Sequence, residues 1–162
     1  MKKAIYTAHM DDLMPLIRER LAAGQSVCFS PKGISMLPML RQGVDTVTLS
    51  PITAPLKKYD LPLYQRDSGK YVLHRIVRVG DTLTCAGDNQ VVLERGLRQE
   101  QMIGVVTAFT RGGKTHTVDE RGYRLYCRLW HHTRLLRRIW RGLIRRTKRL
   151  FGKKSIDETK RH

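Results

Sequence analysis

A serine becomes a nucleophile only when a neighbouring base takes its proton, so the informative serine is one that a base can reach. Ser35 stands in the turn-like stretch "GISMLPML" (residues 33–40), with Gly33 before it and Pro38 after it. Candidate bases are few. Lys32 is close in sequence, His9 and His116 lie outside the dense part of the pattern, and His74 sits inside the apolar run "KYVLHRIVRV" (70–79). A polar ring in such a run needs a reason, and an imidazole, with a pKa of about 6.5, can accept a proton at neutral pH. Asp88 in "AGDNQ", or Asp81 at the start of "DTLTCAG", offers a carboxylate that could stand behind the ring. Asp followed by Asn is equally a turn former.

These residues need elements to position them. The stretch "MDDLMPLIRERLAA" puts Leu13, Ile17 and Leu21 at helical spacing, with acids early and Gly24 as a stop, which predicts a short N-terminal helix over about 10–23. Pro15 fits only its first turn. From Gly24 to about Val118 the pattern turns to short strands between turns. "SVCF", "DTVTLS", "LPLYQ" and "KYVLHRIVRV" read as strands, the third as an edge because of Pro62. "DTLTCAG" follows a Gly80-Asp81 turn, and "MIGVVTAFTR" joins "KTHTV" through Gly112-Gly113, so two hairpins are expected. The class is mainly β.

From Tyr123 to Phe151 the period becomes helical, with Tyr126, Leu129, Thr133, Leu136, Trp140 and Leu143 on one stripe. This segment holds the charge. The 162-residue chain has a formal charge of +17, yet residues 121–154 carry 13 Lys/Arg and no acid, which leaves the body near +4. The organisation expected is a domain over 1–120, a basic amphipathic helix over 121–154 and a polar tail over 155–162. Such a helix suits an anionic membrane surface, with Arg128, Arg134, Arg137, Arg138, Arg141, Arg145 and Arg146 at headgroups and Trp130 and Trp140 on the apolar side. Nucleic acid is the second choice of partner, supported by charge alone.

Several classes are excluded. Cys28, Cys85 and Cys127 are odd in number and widely spaced, which argues against a disulfide framework or a zinc site. No metal or organic cofactor is expected. Asp11 and Asp12 interrupt any secretory signal, and no window of about 18 apolar residues exists to span a bilayer. The expected location is cytoplasmic, peripheral on the inner face of the membrane.

Taken in order, the segments resemble the signal peptidase I / LexA-like serine peptidase superfamily over roughly residues 26–107. "GISMLPML" looks like its Ser-Met-x-Pro nucleophile box, and "GVDTVTL" like the following Gly-Asp-x-Val strand with Val44 inserted. "KYDLPLYQR" resembles the second Gly-Asp strand box, "YVLHRIVRV" the base-bearing strand and "CAGDNQ" the Gly-Asp-Asn box. Bacterial signal peptidases and LexA-type repressors carry lysine on the base strand; the endoplasmic-reticulum and archaeal type carries histidine, as here.

The resemblance implies a β catalytic domain of that fold. It implies a serine endopeptidase that cuts a precursor polypeptide to a limited extent, with Ser35 as nucleophile and His74 as general base. Asp88 would orient the imidazole, and the Ser35 backbone N–H would be an oxyanion donor. Many bacterial members carry a second donor, a Ser hydroxyl, two residues before the nucleophile, where this chain has Gly33. The alternative is a catalytically inactive module of the same fold that binds anionic lipid or nucleic acid through its basic helix.

Overall fold

The computed structural model describes residues 10–134, 136 and 139. Helix α1 (Met10–Ala22) buries Met14, Ile17 and Leu21, one stripe at spacings of three and four. Burying each contributes about 1.5–3 kcal/mol. Gly24 ends the helix at φ +72°, a conformation that costs a side chain-bearing residue, and its N–H donates to the Leu21 carbonyl at 3.0 Å. Pro15 lies in the second turn, not in the first as expected. Its ring is exposed while Met14 and Ile17 on either side are held in the core.

The chain is mainly β, with α1 at one end and a second helix at the other. The strands are β1 (Val27–Phe29), β2 (Thr46–Ser50), β3 (Pro62–Gln65), β4 (Tyr71–Leu73), β5 (Arg75–Arg78), β6 (Leu83–Ala86), β7 (Glu94–Leu97), β8 (Met102–Arg111) and β9 (Lys114–Thr117). They form a six-stranded sheet in the order β1-β2-β8-β3-β4, with β9 on β8, and a three-stranded sheet β5-β6-β7. Every pairing is antiparallel.

Alternation places two cores on the faces of these sheets. Val47, Leu49, Leu63, Leu73, Val106 and Phe109 pack with the α1 stripe. Tyr64, Ile76, Leu83, Cys85 and Leu97 form the second core. Neighbouring Leu63 and Tyr64 thus bury opposite faces of β3, which lies between β8 and β4 rather than at an edge. Pro62 is tolerated there because it is the first residue of the strand.

The long run at 70–79 is not one strand. It divides at His74, with β4 closing the first sheet and β5 opening the second. The segment "ERGL", unassigned by periodicity, forms β7.

Helix α2 (Arg121–His132) follows β9. Its body-facing side is Tyr123, Tyr126, Cys127 and Trp130, whereas Leu129 and Leu136, expected on the same stripe as Tyr126, are exposed.

Candidate active site

Ser35 sits in the turn between β1 and β2. Met36, Met39 and Leu40 anchor that turn in the first core, and the Leu40 N–H donates to the Met36 carbonyl at 3.0 Å. Gly33 takes φ +92°, open to few residues other than glycine, and its N–H donates to Gln42 Oε1 at 2.7 Å. Asn89 holds the turn from the other side. Its N–H donates to the Ser35 carbonyl at 2.8 Å and its Nδ2 to the Ile34 carbonyl at 3.1 Å.

His74 is buried where the chain passes between sheets. Gly87 shows how near it comes to the serine. A side chain built there would begin 2.6 Å from the Ser35 carbonyl oxygen, 3.1 Å from His74 Nε2 and 3.2 Å from Ser35 Cβ. Gly87 is therefore required for space, and the space it leaves belongs to Ser35 and His74 together. The same two residues line a cleft of about 210 Å³, walled by Met36, Leu40 and Leu73, with Lys32, Arg66 and Gln90 among its polar residues.

The other ring nitrogen faces a carboxylate. His74 Nδ1 lies 2.8 Å from Glu94 Oε1 and 3.3 Å from the Tyr64 hydroxyl. Sheet register explains the meeting. Ile76 pairs with Cys85 and Cys85 with Glu94, so the three share a face, and His74, two residues before Ile76, falls on it too. Arg66 fixes Glu94 with a fork, Nε to Oε2 at 2.7 Å and Nη2 to Oε1 at 2.5 Å.

A carboxylate only accepts hydrogen bonds, so this geometry puts the imidazole proton on Nδ1 and leaves the Nε2 lone pair toward Ser35. Burial holds the His74 pKa below its ordinary value, and it outweighs the attraction of Glu94. Burial works against the charged form of Glu94 as well, but hydrogen bonds from Arg66 and Tyr64 bring its pKa below the usual value. Burial also pushes the Tyr64 hydroxyl well up. The arrangement can keep a neutral, correctly oriented base beside a serine at neutral pH.

Asp88 does something other than what its sequence context suggested. Its carboxylate is held by Arg75, Nε to Oδ1 at 2.9 Å and Nη2 to Oδ2 at 2.8 Å. The Tyr126 hydroxyl donates to Oδ2 at 3.0 Å, and Trp130 Nε1 donates to the Asp88 carbonyl at 2.8 Å. Glu94, not Asp88, stands behind His74. Asp81 is exposed. The three residues of the Gly-Asp-Asn stretch thus divide the work. Gly87 leaves room, Asp88 is a buried anchor, and Asn89 holds the serine turn.

Among the other candidates, Lys32 is exposed at the cleft, and His116 pairs on the surface with Glu120 at 2.9 Å; His9 lies outside the described residues. Arg128 is exposed. Trp130 is instead half-buried against the body, and Arg134 donates to the Val91 and Val92 carbonyls. Arg137, Arg138, Trp140, Arg141, Arg145 and Arg146 lie outside the described residues. Among the described residues no cluster of His, Cys, Asp and Glu could hold a metal ion, and no helix is long and apolar enough to cross a membrane.

Sequence reasoning missed Glu94, Arg66 and Tyr64. The one signal for Glu94 was an acid directly after the apolar "VVL", and the side chains it meets, Arg66 and His74, lie 28 and 20 residues before it. No protein-family model, curated protein or solved structure matches the chain.

Proposed function

We propose that this chain is a serine endopeptidase of the signal peptidase I / LexA-like type that makes limited cleavages in a precursor polypeptide. One observation carries the reading. Ser35 Cβ and His74 Nε2 both lie within 3.2 Å of the place where a Gly87 side chain would begin, while His74 Nδ1 is 2.8 Å from Glu94.

Ser35 Oγ attacks the scissile carbonyl as His74 Nε2 takes its proton, and the carbonyl oxygen becomes the oxyanion. Glu94 stabilises the imidazolium and keeps the ring in one tautomer, the general logic of a Ser-His-carboxylate triad. The Ser35 backbone N–H is the oxyanion donor in this scheme. His74 then returns the proton to the leaving amine, leaving an acyl-enzyme on Ser35. Water, deprotonated by His74, hydrolyses that ester and frees the new carboxyl end. Strand β4, last in its sheet, lines the cleft with Tyr71, Val72 and Leu73, and an extended peptide can pair along such an edge.

The test is incubation of the full chain with a mixed library of unstructured peptides, with cuts read by mass spectrometry. Cuts that vanish in both Ser35→Ala and His74→Ala support the peptidase. The same bonds cut by Ser35→Ala would sink it.

A further inference from the structure

Helix α2 has two faces with different surroundings. Tyr126 and Trp130 on one face bond to Asp88, and Tyr123 and Cys127 contact Arg75. The other face holds Leu125 and Leu129, 56% and 57% exposed, and helical spacing continues to Leu136 and Ile139, 67% and 61% exposed. Four large aliphatic side chains at such spacing make a stripe, not scattered exposure. Arg121, Arg124 and Arg128 are exposed on the same helix, and the sequence has no Asp or Glu from Arg121 to Lys154.

We propose that this outward face of α2 is a membrane-interfacial surface whose partner is an anionic lipid bilayer. The leucines lie at the acyl boundary and the arginines among the headgroups, the division of labour of an interfacial helix. A nucleic acid would satisfy the arginines but leave the leucine stripe in water. A second copy of the face would bury the leucines only by bringing uncompensated arginines together. Anionic lipid satisfies both. Docking of this face is independent of whether Ser35 cleaves peptides. Because the opposite face is fastened to Asp88, next to Gly87, docking carries the Ser35 cleft to the bilayer with the helix.

The experiment is co-sedimentation of the full chain with phosphatidylcholine vesicles, with and without one third phosphatidylglycerol. The probes are Leu125→Gln/Leu129→Gln and Arg124→Gln/Arg128→Gln. Both pairs are exposed, so circular dichroism and the melting temperature should match the parent. The expected result is binding that requires phosphatidylglycerol and weakens by roughly tenfold or more in each double variant. No binding to either vesicle overturns the proposal. So does unchanged binding by the leucine variant, which would reduce the contact to charge alone. Single-stranded RNA held as tightly as the vesicles, with no effect of the leucine changes, would assign the helix to nucleic acid instead.

Discussion

Arg75 and Asp88 form a two-pronged ion pair, their side chains 2% and 3% exposed, and each is the chain neighbour of a residue at the candidate site. Arg75 follows His74, and Asp88 follows Gly87. The guanidinium is fully engaged. Beyond Asp88, Nη1 donates to the Tyr59 carbonyl, the Tyr123 hydroxyl and Cys127 Sγ, and Nη2 to Met39 Sδ. Burial alone would disfavour its charge, but Asp88 holds the Arg75 pKa well above its ordinary value. One pair therefore joins the start of β5, the end of β6, the serine turn and α2.

Removing one partner leaves a buried charge without its counterpart. Asp88→Ala should cost about 3–5 kcal/mol, measured by urea unfolding. Arg75→Met combined with Asp88→Leu should recover much of that loss. A cost below about 1 kcal/mol for the single change would mean that the pair does not hold the fold together.

Gly87→Ala puts a methyl group where Ser35 and His74 meet. The nearest atom is the Ser35 carbonyl oxygen at 2.6 Å, a backbone atom, so the serine turn must shift. Stability should fall by about 1–3 kcal/mol, as for other overpacked sites. Ser35-dependent cleavage should be lost while the circular dichroism spectrum is kept. Full activity in this variant would place the reacting groups elsewhere.

Glu94→Gln tests the residue behind the imidazole. Cleavage should fall roughly 10²-fold or more, because tautomer control and imidazolium stabilisation go together. Glu94 raises the His74 pKa against burial, so its neutralisation lets burial act with less opposition. The acid limb of kcat/KM should move to lower pH while the plateau drops. A limb that moves up would contradict the assignment. Asp88→Asn should act chiefly through folding; the Asp88 charge raises the His74 pKa less than Glu94 does, so in the protein that remains folded the limb should move down by less than in Glu94→Gln.

The lowered pKa values of His74 and Glu94, with those of Asp45 and Glu120, act on the acid side of stability. His74, held down chiefly by burial, and Glu94, held down by its hydrogen bonds against burial, both protonate more readily in the unfolded chain. His74's contribution is therefore complete above its ordinary pKa of 6.5 and is lost as pH falls toward the folded value. Glu94 follows the same sign below 4.5. Asp60, raised by burial, opposes this over the carboxylate range. The melting temperature should fall between neutral pH and about pH 5, and His74→Gln should flatten that fall. An equal slope in the variant would remove His74 as the cause.

Ser35 and His74 could be suggested as a pair from sequence because each stands in a stretch that resembles a peptidase box, and alternation and turn chemistry located most strands. Periodicity could not show the break at His74, because Val72 and Ile76 stay in phase across it and face the second core on both sides. It could not choose between Asp88 and Glu94 either. That choice rests on which cation pairs with which acid, Arg75 with Asp88 and Arg66 with Glu94, and the two arginines read alike as basic residues in β segments. Strand β7 is four residues long, with Gly96 at φ +74° interrupting any strand pattern, and only its pairing with β6, Glu94 opposite Cys85, marks it as a strand. The exposed leucines of α2 were misplaced for a related reason: the aromatic residues and Cys127 bury more favourably against the Arg75 pair.

Strand β8 occupies the middle of the six-stranded sheet, with β1 and β2 on one side and β3 and β4 on the other. Ser35 precedes β2, and His74 follows β4. Ser35, His74 and Glu94 all precede β8 in the chain, and until that strand inserts, the two halves of the six-stranded sheet share no pairing. Without it, the half of the sheet that follows the Ser35 turn and the half that leads into His74 are not joined to each other. The candidate site thus depends for its assembly on β8, a strand that supplies none of Ser35, His74 and Glu94.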